Sequence, residues 1–323
     1  MFKHLPLLCT LACFAHAAPA TTLGERADVQ AFIASVAQRH AFDGAELARM
    51  FNAAELRPDI IDLITAPAEA KPWHEYRPIF VNPARIRGGI EFWRANAETL
   101  ENAQRLYGVP PEIIVAIIGV ETRYGRNMGK YRVLDALITL AFDYAPRADF
   151  FRGELEQYLL LTREERLDPL ALKGSYAGAM GQAQFISSSY RHFAVDFDGD
   201  GRRDLWNNSA DAIGSVAHYL NEHGWQKDAP VAMRAEVNGE QYKTLLNGGI
   251  QLQYSLGDLR RQGVSVTEPL FDIEPALLLE FAAGSGAEYW VGLQNFYVIT
   301  RYNRSSLYAM AVYQLSQEIK AQR

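Results

Sequence analysis

Cysteine is almost missing from this 323-residue chain, which has two, Cys9 and Cys13. Past them no thiol remains to close a disulfide or complete a tetrahedral zinc site, and the seven histidines show no pair at ligand spacing. A chain this long needs no disulfide, because about three quarters of the surface of a ~300-residue chain is buried on folding. Charge of one sign is also scarce. With 32 basic and 38 acidic residues the formal net charge is −6, and no Lys/Arg run forms a basic stripe, which argues against a nucleic-acid partner. No segment reaches the ~18 consecutive apolar residues that span a bilayer, so no transmembrane helix is expected.

What is present begins with "MFKHLPLLCTLACFAHAAPA". Lys3 and His4, the apolar stretch Leu5 to Phe14, and AxA sites at Ala15 to Ala17 and Ala18 to Ala20 read as a secretory signal over 1–20. The mature, exported protein would start near Thr21 and contain no cysteine, so it would fold in an oxidising compartment without disulfide help. Cys13 follows "TLA", with Thr10 where a lipidation site prefers Leu, so an outer-membrane lipid anchor is not the expectation.

Helical spacing in "ADVQAFIASVAQRH" and "GAELARMFNAAEL" points to an N-terminal helical domain and connector over 21–104. Pro58, Pro67, Pro72, Pro78 and Pro83 make "TAPAEAKPWHEYRPIFVNPARI" read as an irregular connector, with Trp73 and Tyr76 facing a ligand. Stronger helical periods mark a core over 105–227. A small β-rich insertion follows at 228–270, where Asn238-Gly239 and Asn247-Gly248 favour hairpin turns. Residues 271–323 return to the core, with a strand or turn and then a helix from near Ser305. The fold class is mainly α, of α+β type.

The most informative stretch is "LYGVPPEIIVAIIGVETRYG". Pro110 and Pro111 suit a helix start, Glu112 its first turn and Gly125 its end. A helix apolar on every side is a buried one. Glu121 then sits in its last turn, where desolvation and the negative end of the helix dipole both disfavour a carboxylate. A carboxyl that keeps its proton beside a cleft can protonate the departing oxygen of a glycosidic bond. The alternative from this stretch alone is a structural ion pair with Arg123 or Arg126.

"GSYAGAMGQAQF", Gly174 to Phe185, mixes glycines and alanines with Ser175 and Gln184. Small residues permit either tight helix packing or the close approach of a ligand, in which case Ser175 and Gln184 would meet sugar hydroxyl or acetamido groups. Sixteen tyrosines and five tryptophans suit pyranose faces and rims, although singly each aromatic suits a core as well. Tyr219, and Tyr302, Asn303 and Tyr308 in "RYNRSSLY", form the clusters expected near the acid.

"DFDGDGRRDLWN" follows the EF-hand loop, with Asp196, Asp198 and Asp200 at positions 1, 3 and 5 and Gly201 at the turn. Arg202 would lend its carbonyl at position 7. Position 12, normally a bidentate Glu, is Asn207, which weakens a structural Ca2+ site.

In this order, "VETRYG", "SYAGAMGQAQF", "DFDGDGRRDLW" and "NFYVITRYNRS" resemble the bacterial lytic murein transglycosylases of the membrane-bound B type, from about Pro72 to the C-terminal helix. The resemblance implies a goose-type lysozyme-like helical core with an added helical domain and a small β domain. It also implies cleavage of the β-1,4 bond between N-acetylmuramic acid (MurNAc) and N-acetylglucosamine (GlcNAc) in peptidoglycan, leaving a 1,6-anhydromuramoyl end. It places the acid/base at Glu121 and substrate contacts at Ser175, Gln184, Tyr219, Tyr302, Asn303 and Tyr308, with Tyr76 a looser match. Calcium ligands fall on Asp196, Asp198, Asp200, Arg202 and Asn207, where Asn207 departs from the family's carboxylate. No cofactor is implied for the chemistry.

A lysozyme using two carboxylates needs a base or nucleophile across the ring, and the sequence offers no clear second acid. The muramic acetamido oxygen can take that part, with Glu121 serving as acid and then base. The rivals are a hydrolytic muramidase and a noncatalytic peptidoglycan-binding scaffold. A monomer is the default for an enzyme that must thread a polymer, and recruitment by cell-wall synthesis complexes is left open.

Overall fold

The computed structural model describes residues 22–66, 71–267 and 270–323. The expected signal segment, with Cys9, Cys13 and the cleavage sites, lies outside the described residues, as does Pro67. The chain divides into two compact units, Met1–Ala54 and Glu55–Arg323, so the division falls inside the segment 21–104 expected to form one helical domain.

In the first unit, α1 (Ala27–His40) buries Val29, Ile33 and Val36, and α2 (Gly44–Asn52) buries Leu47 and Phe51. This is the four- and three-residue spacing of single helix faces. Asp43 caps α2 by accepting from the amides of Ala45 and Glu46, and Gly24 N–H donates to Asn52 Oδ1 at 2.8 Å.

The second unit opens with α3 (Pro58–Thr65), α4 (Trp73–Phe80), α5 (Pro83–Ala95) and α6 (Ala97–Tyr107). The expected irregular connector is therefore largely helical. Pro58 and Pro83 occupy first turns, where a missing N–H costs nothing, Pro72 is the N-cap of α4, and Asn82 caps α5. Among the described residues, only Pro78 interrupts a helix interior.

Helix α7 (Pro111–Thr122) is buried from Pro111 through Val120 and packs against α5, α6, α11 (Ser209–Glu222) and α14 (Ser306–Gln322). Neighbours on all sides explain why its sequence shows no polar face. Between them lie α8 (Val133–Asp143), α9 (Ala148–Glu164) and α10 (Ser187–Phe193). A two-residue ladder joins β1 (Tyr131–Arg132) to β2 (Lys173–Gly174), with Tyr131 opposite Gly174.

The remaining strands, β3 (Ala232–Val237), β4 (Tyr254–Ser255), β5 (Val264–Val266), β6 (Pro275–Ala282) and β7 (Ala287–Gly292), form an antiparallel sheet in the order β4-β6-β7-β3-β5. Met233, Ala235, Leu278 and Val291 cover one face together with Leu256 and Leu259 of α12 (Leu256–Arg261). The sheet thus extends past 270 into the segment expected to return to the core. Neither Asn-Gly pair makes a hairpin. After Gly239 the chain coils into a 3-10 segment, Gln241–Gly248, because Tyr242 and Leu245, three apart, bury against the sheet. The hairpin lies between β6 and β7, where Ala283 N–H donates to the Gly286 carbonyl and Gly286 has φ 85°. "QNFYVITRY" is helix α13 (Gln294–Tyr302), not a strand, since Asn295, Phe296, Val298, Ile299 and Thr300 all bury. Ser305 caps the helix that follows.

Candidate active site

Glu121 is the penultimate residue of α7 and is half-buried. Tyr308, from the first turn of α14, donates its hydroxyl to Glu121 Oε1 at 2.6 Å. Arg85, from α5, donates its guanidinium to the carbonyls of Gly119 and of Val120, the latter at 3.2 Å. The carbonyl charge at this helix end is therefore answered by a cation, so the expected dipole contribution is offset. Burial is what pushes the Glu121 carboxyl up to about 7, against the opposing pull of the Tyr308 hydroxyl and the Arg85 charge. The alternative ion pair does not form. Arg126 approaches Glu91 at 3.5 Å, and the Arg123 guanidinium meets no carboxylate among the described residues.

Beyond Glu121 the backbone turns sharply, with Arg123 at φ 53°, Tyr124 at φ 62° and Gly125 at φ 79°. Two successive non-glycine residues in the left-handed region mark a conformation held by its surroundings. The ties are visible: Tyr124 Oη donates to the Arg85 carbonyl at 2.7 Å and Thr122 Oγ1 donates to the Gln182 carbonyl at 3.0 Å. The loop then meets the small-residue run. A Cβ on Gly129 would stand 2.0 Å from the Gly174 carbonyl oxygen, so only glycine lets the chain pass this close to Ser175.

The result is an open cavity of about 350 Å³ lined by Glu121, Asn127, Lys130, Tyr131, Ser175 and Gln184 among others. Glu121 is the only carboxylate in that lining. Ser175 Oγ accepts from the amides of Ala177 and Ala179, which leaves its own hydrogen to donate. Gln184, at φ 51°, spends its amide N–H groups on the Met128 and Gly181 carbonyls and keeps its oxygen as an acceptor.

The other expected contacts are placed less uniformly. Tyr302 packs against Phe185 and Tyr219 and donates to the Ala183 carbonyl at 2.6 Å. The charge of Glu121 adds to burial in raising the hydroxyl pKa values of both Tyr302 and Tyr308, which puts the two rings beside the acid. Tyr76 is buried against Trp73 and Phe80 and borders Tyr308. Tyr219 stands behind this wall: it is 8% exposed, stacks on His223 and donates its hydroxyl to the Arg301 carbonyl. Its ring and hydroxyl are both engaged inside the protein. Asn303 is exposed at the break between α13 and α14, outside the cavity lining.

A family model described as a transglycosylase SLT domain matches residues 24–317. Membrane-bound lytic murein transglycosylase B of Escherichia coli strain K12 is 46% identical over 302 residues, covering 90% of this chain and 82% of that protein. The chain belongs to the lytic murein transglycosylases. Among solved family structures, catenated lytic transglycosylase SltB1 from Pseudomonas aeruginosa superposes with a TM-score of 0.90 at 51% identity, covering 93% of this chain and 99% of that one. E. coli Slt35 in complex with calcium gives a TM-score of 0.83 at 46% identity, covering 91% and 93%. The chain is thus a helix-dominated α+β enzyme that acts on peptidoglycan, and no described helix is long and apolar enough to cross a membrane.

The EF-hand-like loop brings together a carboxylate group of its own. Carboxylate oxygens of Asp196, Asp198 and Asp211 gather within 4.8 Å of one another. Asn207 is turned elsewhere, its amide donating to Asp204 Oδ2 at 3.0 Å, and Asp200 accepts from the Arg202 amide. The third carboxylate of this group comes from the first turn of α11, four residues after position 12 of the loop. Hard oxygen donors, two exposed and one buried, fit a divalent cation.

Sequence reasoning missed Asp211, which looks like an ordinary acid in a helix first turn, and Arg85. The available hint of Arg85 was the Gly88-Gly89 pair inside α5: a Cβ on either would come within 2.8 Å of Tyr124. Such a pair in a helix marks close packing.

Proposed function

We propose that Glu121 cuts the β-1,4 bond between MurNAc and GlcNAc alone, as acid and then as base. The observation that carries this reading is its isolation as a carboxylate in the cavity lining. Hydrolysis by two carboxyl groups needs a partner about 5–9.5 Å away across the ring. In the first step the Glu121 proton goes to the bridging oxygen as the C1–O4 bond breaks and the muramic acetamido oxygen bonds to C1. In the second, the Glu121 carboxylate takes the proton of the muramic C6 hydroxyl, O6 bonds to C1, and the acetamido oxygen leaves. Glu121 ends protonated, no water is consumed, and the product carries a 1,6-anhydro ring.

A carboxyl near pKa 7 suits both steps, since it gives and takes a proton at similar cost close to neutral pH. Ser175 as donor and Gln184 as acceptor hold sugar substituents, while Asn303 adds a contact at the rim. Tyr308, Tyr302 and Tyr76 position the acid and shape the wall behind it. Calcium, where bound, is structural, held by Asp196, Asp198 and Asp211, a reading the calcium complex of Slt35 supports. The peptidoglycan substrate supports a periplasmic, monomeric enzyme.

Mass spectrometry of digested sacculi tests the reaction: anhydro ends are lighter than hydrated ones by one water, and hydrated ends throughout would reject it. Glu121→Gln should keep sacculus binding and lose lysis.

A further inference from the structure

Gln182 is buried and stands outside the cavity lining, yet it ties the small-residue run to two segments distant in the chain. Its carbonyl accepts the hydroxyl of Thr122, the residue after Glu121, at 3.0 Å. Its backbone N–H donates to the Leu205 carbonyl at 2.7 Å. Its side-chain amide donates to the Trp206 carbonyl at 3.4 Å and accepts the Ser209 hydroxyl at 3.2 Å. Leu205 and Trp206 belong to the EF-hand-like loop, and Ser209 opens α11. The same side chain borders the turn beyond the acid, since a Cβ on Gly125 would stand 3.3 Å from its Cδ.

Thr122 completes the tie from the other side. It is fully buried, its hydrogen also faces the Ile118 carbonyl one turn back in α7 at 3.2 Å, and its oxygen accepts the Gly125 N–H at 3.0 Å. One hydroxyl therefore binds the last turn of α7 and the left-handed turn beyond it to the wall that carries Ser175 and Gln184. Neither Thr122 nor Gln182 is charged or lines the cavity, so what they fix is position. Proton transfer demands heavy atoms at hydrogen-bond distance, and a small displacement of the acid is costly in rate. We propose that Thr122 and Gln182 are a positioning pair that anchors the acid-bearing end of α7 to this wall and to the EF-hand-like loop, holding Glu121 within reach of the bond to be cut in a sugar seated on the wall. The proposal rests on the reading of Glu121 given above and names the residues that keep it in place.

Steady-state kinetics on purified glycan strands would compare the full-length protein with Thr122→Val, Thr122→Ser, Gln182→Met and the Thr122→Val/Gln182→Met double variant. Val keeps the shape of Thr without its hydroxyl, and Met keeps the length of Gln without its amide. Rates are taken per folded molecule and below each melting temperature, so that destabilisation by an orphaned Gln182 carbonyl does not enter. Should Thr122→Val not fold, Gln182→Met, which leaves that hydroxyl in place, serves. Thr122→Val should lower kcat about tenfold to a hundredfold. Its KM should stay within about twofold, because no substrate contact is lost, and the alkaline limb of the pH profile should stay where the wild type has it. Thr122→Ser should restore most of the rate. Gln182→Met should show the same pattern more weakly, and the double variant should fall little below Thr122→Val, since both break one chain of contacts. An unchanged kcat in the folded variants makes the pair merely structural and overturns the proposal. A raised KM at constant kcat, a displaced limb or fully additive losses overturn it as well. Failure of the underlying reading shows separately: lysis retained by Glu121→Gln rejects the acid itself, whatever these variants do.

Discussion

Tyr308 and Glu121 are 187 positions apart in the chain and 2.6 Å apart in space, hydroxyl to carboxyl oxygen. A donor on a carboxylate stabilises its charged form, so Tyr308 restrains a pKa that burial drives upward. Tyr308→Phe should therefore raise the Glu121 pKa and move the alkaline limb of kcat/KM above the wild-type position near pH 7. Lost orientation should also lower kcat by roughly tenfold to a hundredfold, within the range of general acid catalysis. A limb that stays or moves down would break the proposed partnership.

The same carboxyl makes stability depend on pH. Its folded value of about 7 lies above the ordinary 4.5, so the contribution is full below about pH 4.5 and is lost as pH rises through 7. Glu121→Gln keeps an acceptor for Tyr308 and has no such titration. The variant should match the wild type in unfolding free energy near pH 4.5 and exceed it at pH 8, by on the order of 3 kcal/mol at most. Urea melts at the two pH values measure the difference, and a constant gap between the proteins would refute the shift.

Arg85 acts on the acid and on the helix end together. Arg85→Met removes a buried guanidinium from the Gly119 and Val120 carbonyls, which should cost about 1–3 kcal/mol. It also removes the cation that lowers the Glu121 pKa, so the alkaline limb should rise as well. Arg85→Lys should recover the limb better than the stability, because one ammonium serves two carbonyls poorly. Denaturant titration with a pH–rate profile separates the two effects.

The acid was legible because a helix apolar on every face and closed by one Glu has few explanations, and the fold buries α7 accordingly. Ser175 and Gln184 were legible as the polar exceptions in a small-residue run. Tyr219 lies behind the wall, a placement the sequence does not reveal, because an aromatic residue near a site in sequence says nothing of which side of the wall its ring occupies. Arg85 escaped because its partners are backbone carbonyls of another helix, which leave no pattern in side-chain identity. The prolines of α3 to α5 and the Asn-Gly pairs misled for a shared reason: turn-forming residues report a local backbone preference, and whether a helix starts there or a hairpin closes is decided by which apolar neighbours bury.

The EF-hand-like loop gives a contrast between two neighbouring residues. Asn207 spends its amide on Asp204, while Asp211 is fully buried and shares a carboxylate cluster with Asp196 and Asp198. Calcium that binds only the folded protein should raise its melting point, by about 2.7 kcal/mol of stability at a hundredfold excess over Kd. Asn207→Ala should keep that response. Asp211→Asn should abolish it, because it removes the charge that completes the cluster, even though its remaining oxygen still accepts from the Phe197 or Asp204 amide. Melting each variant with calcium and with a chelator reads the difference directly; a response lost at position 207 and kept at 211 would return the twelfth loop position to the ligand set.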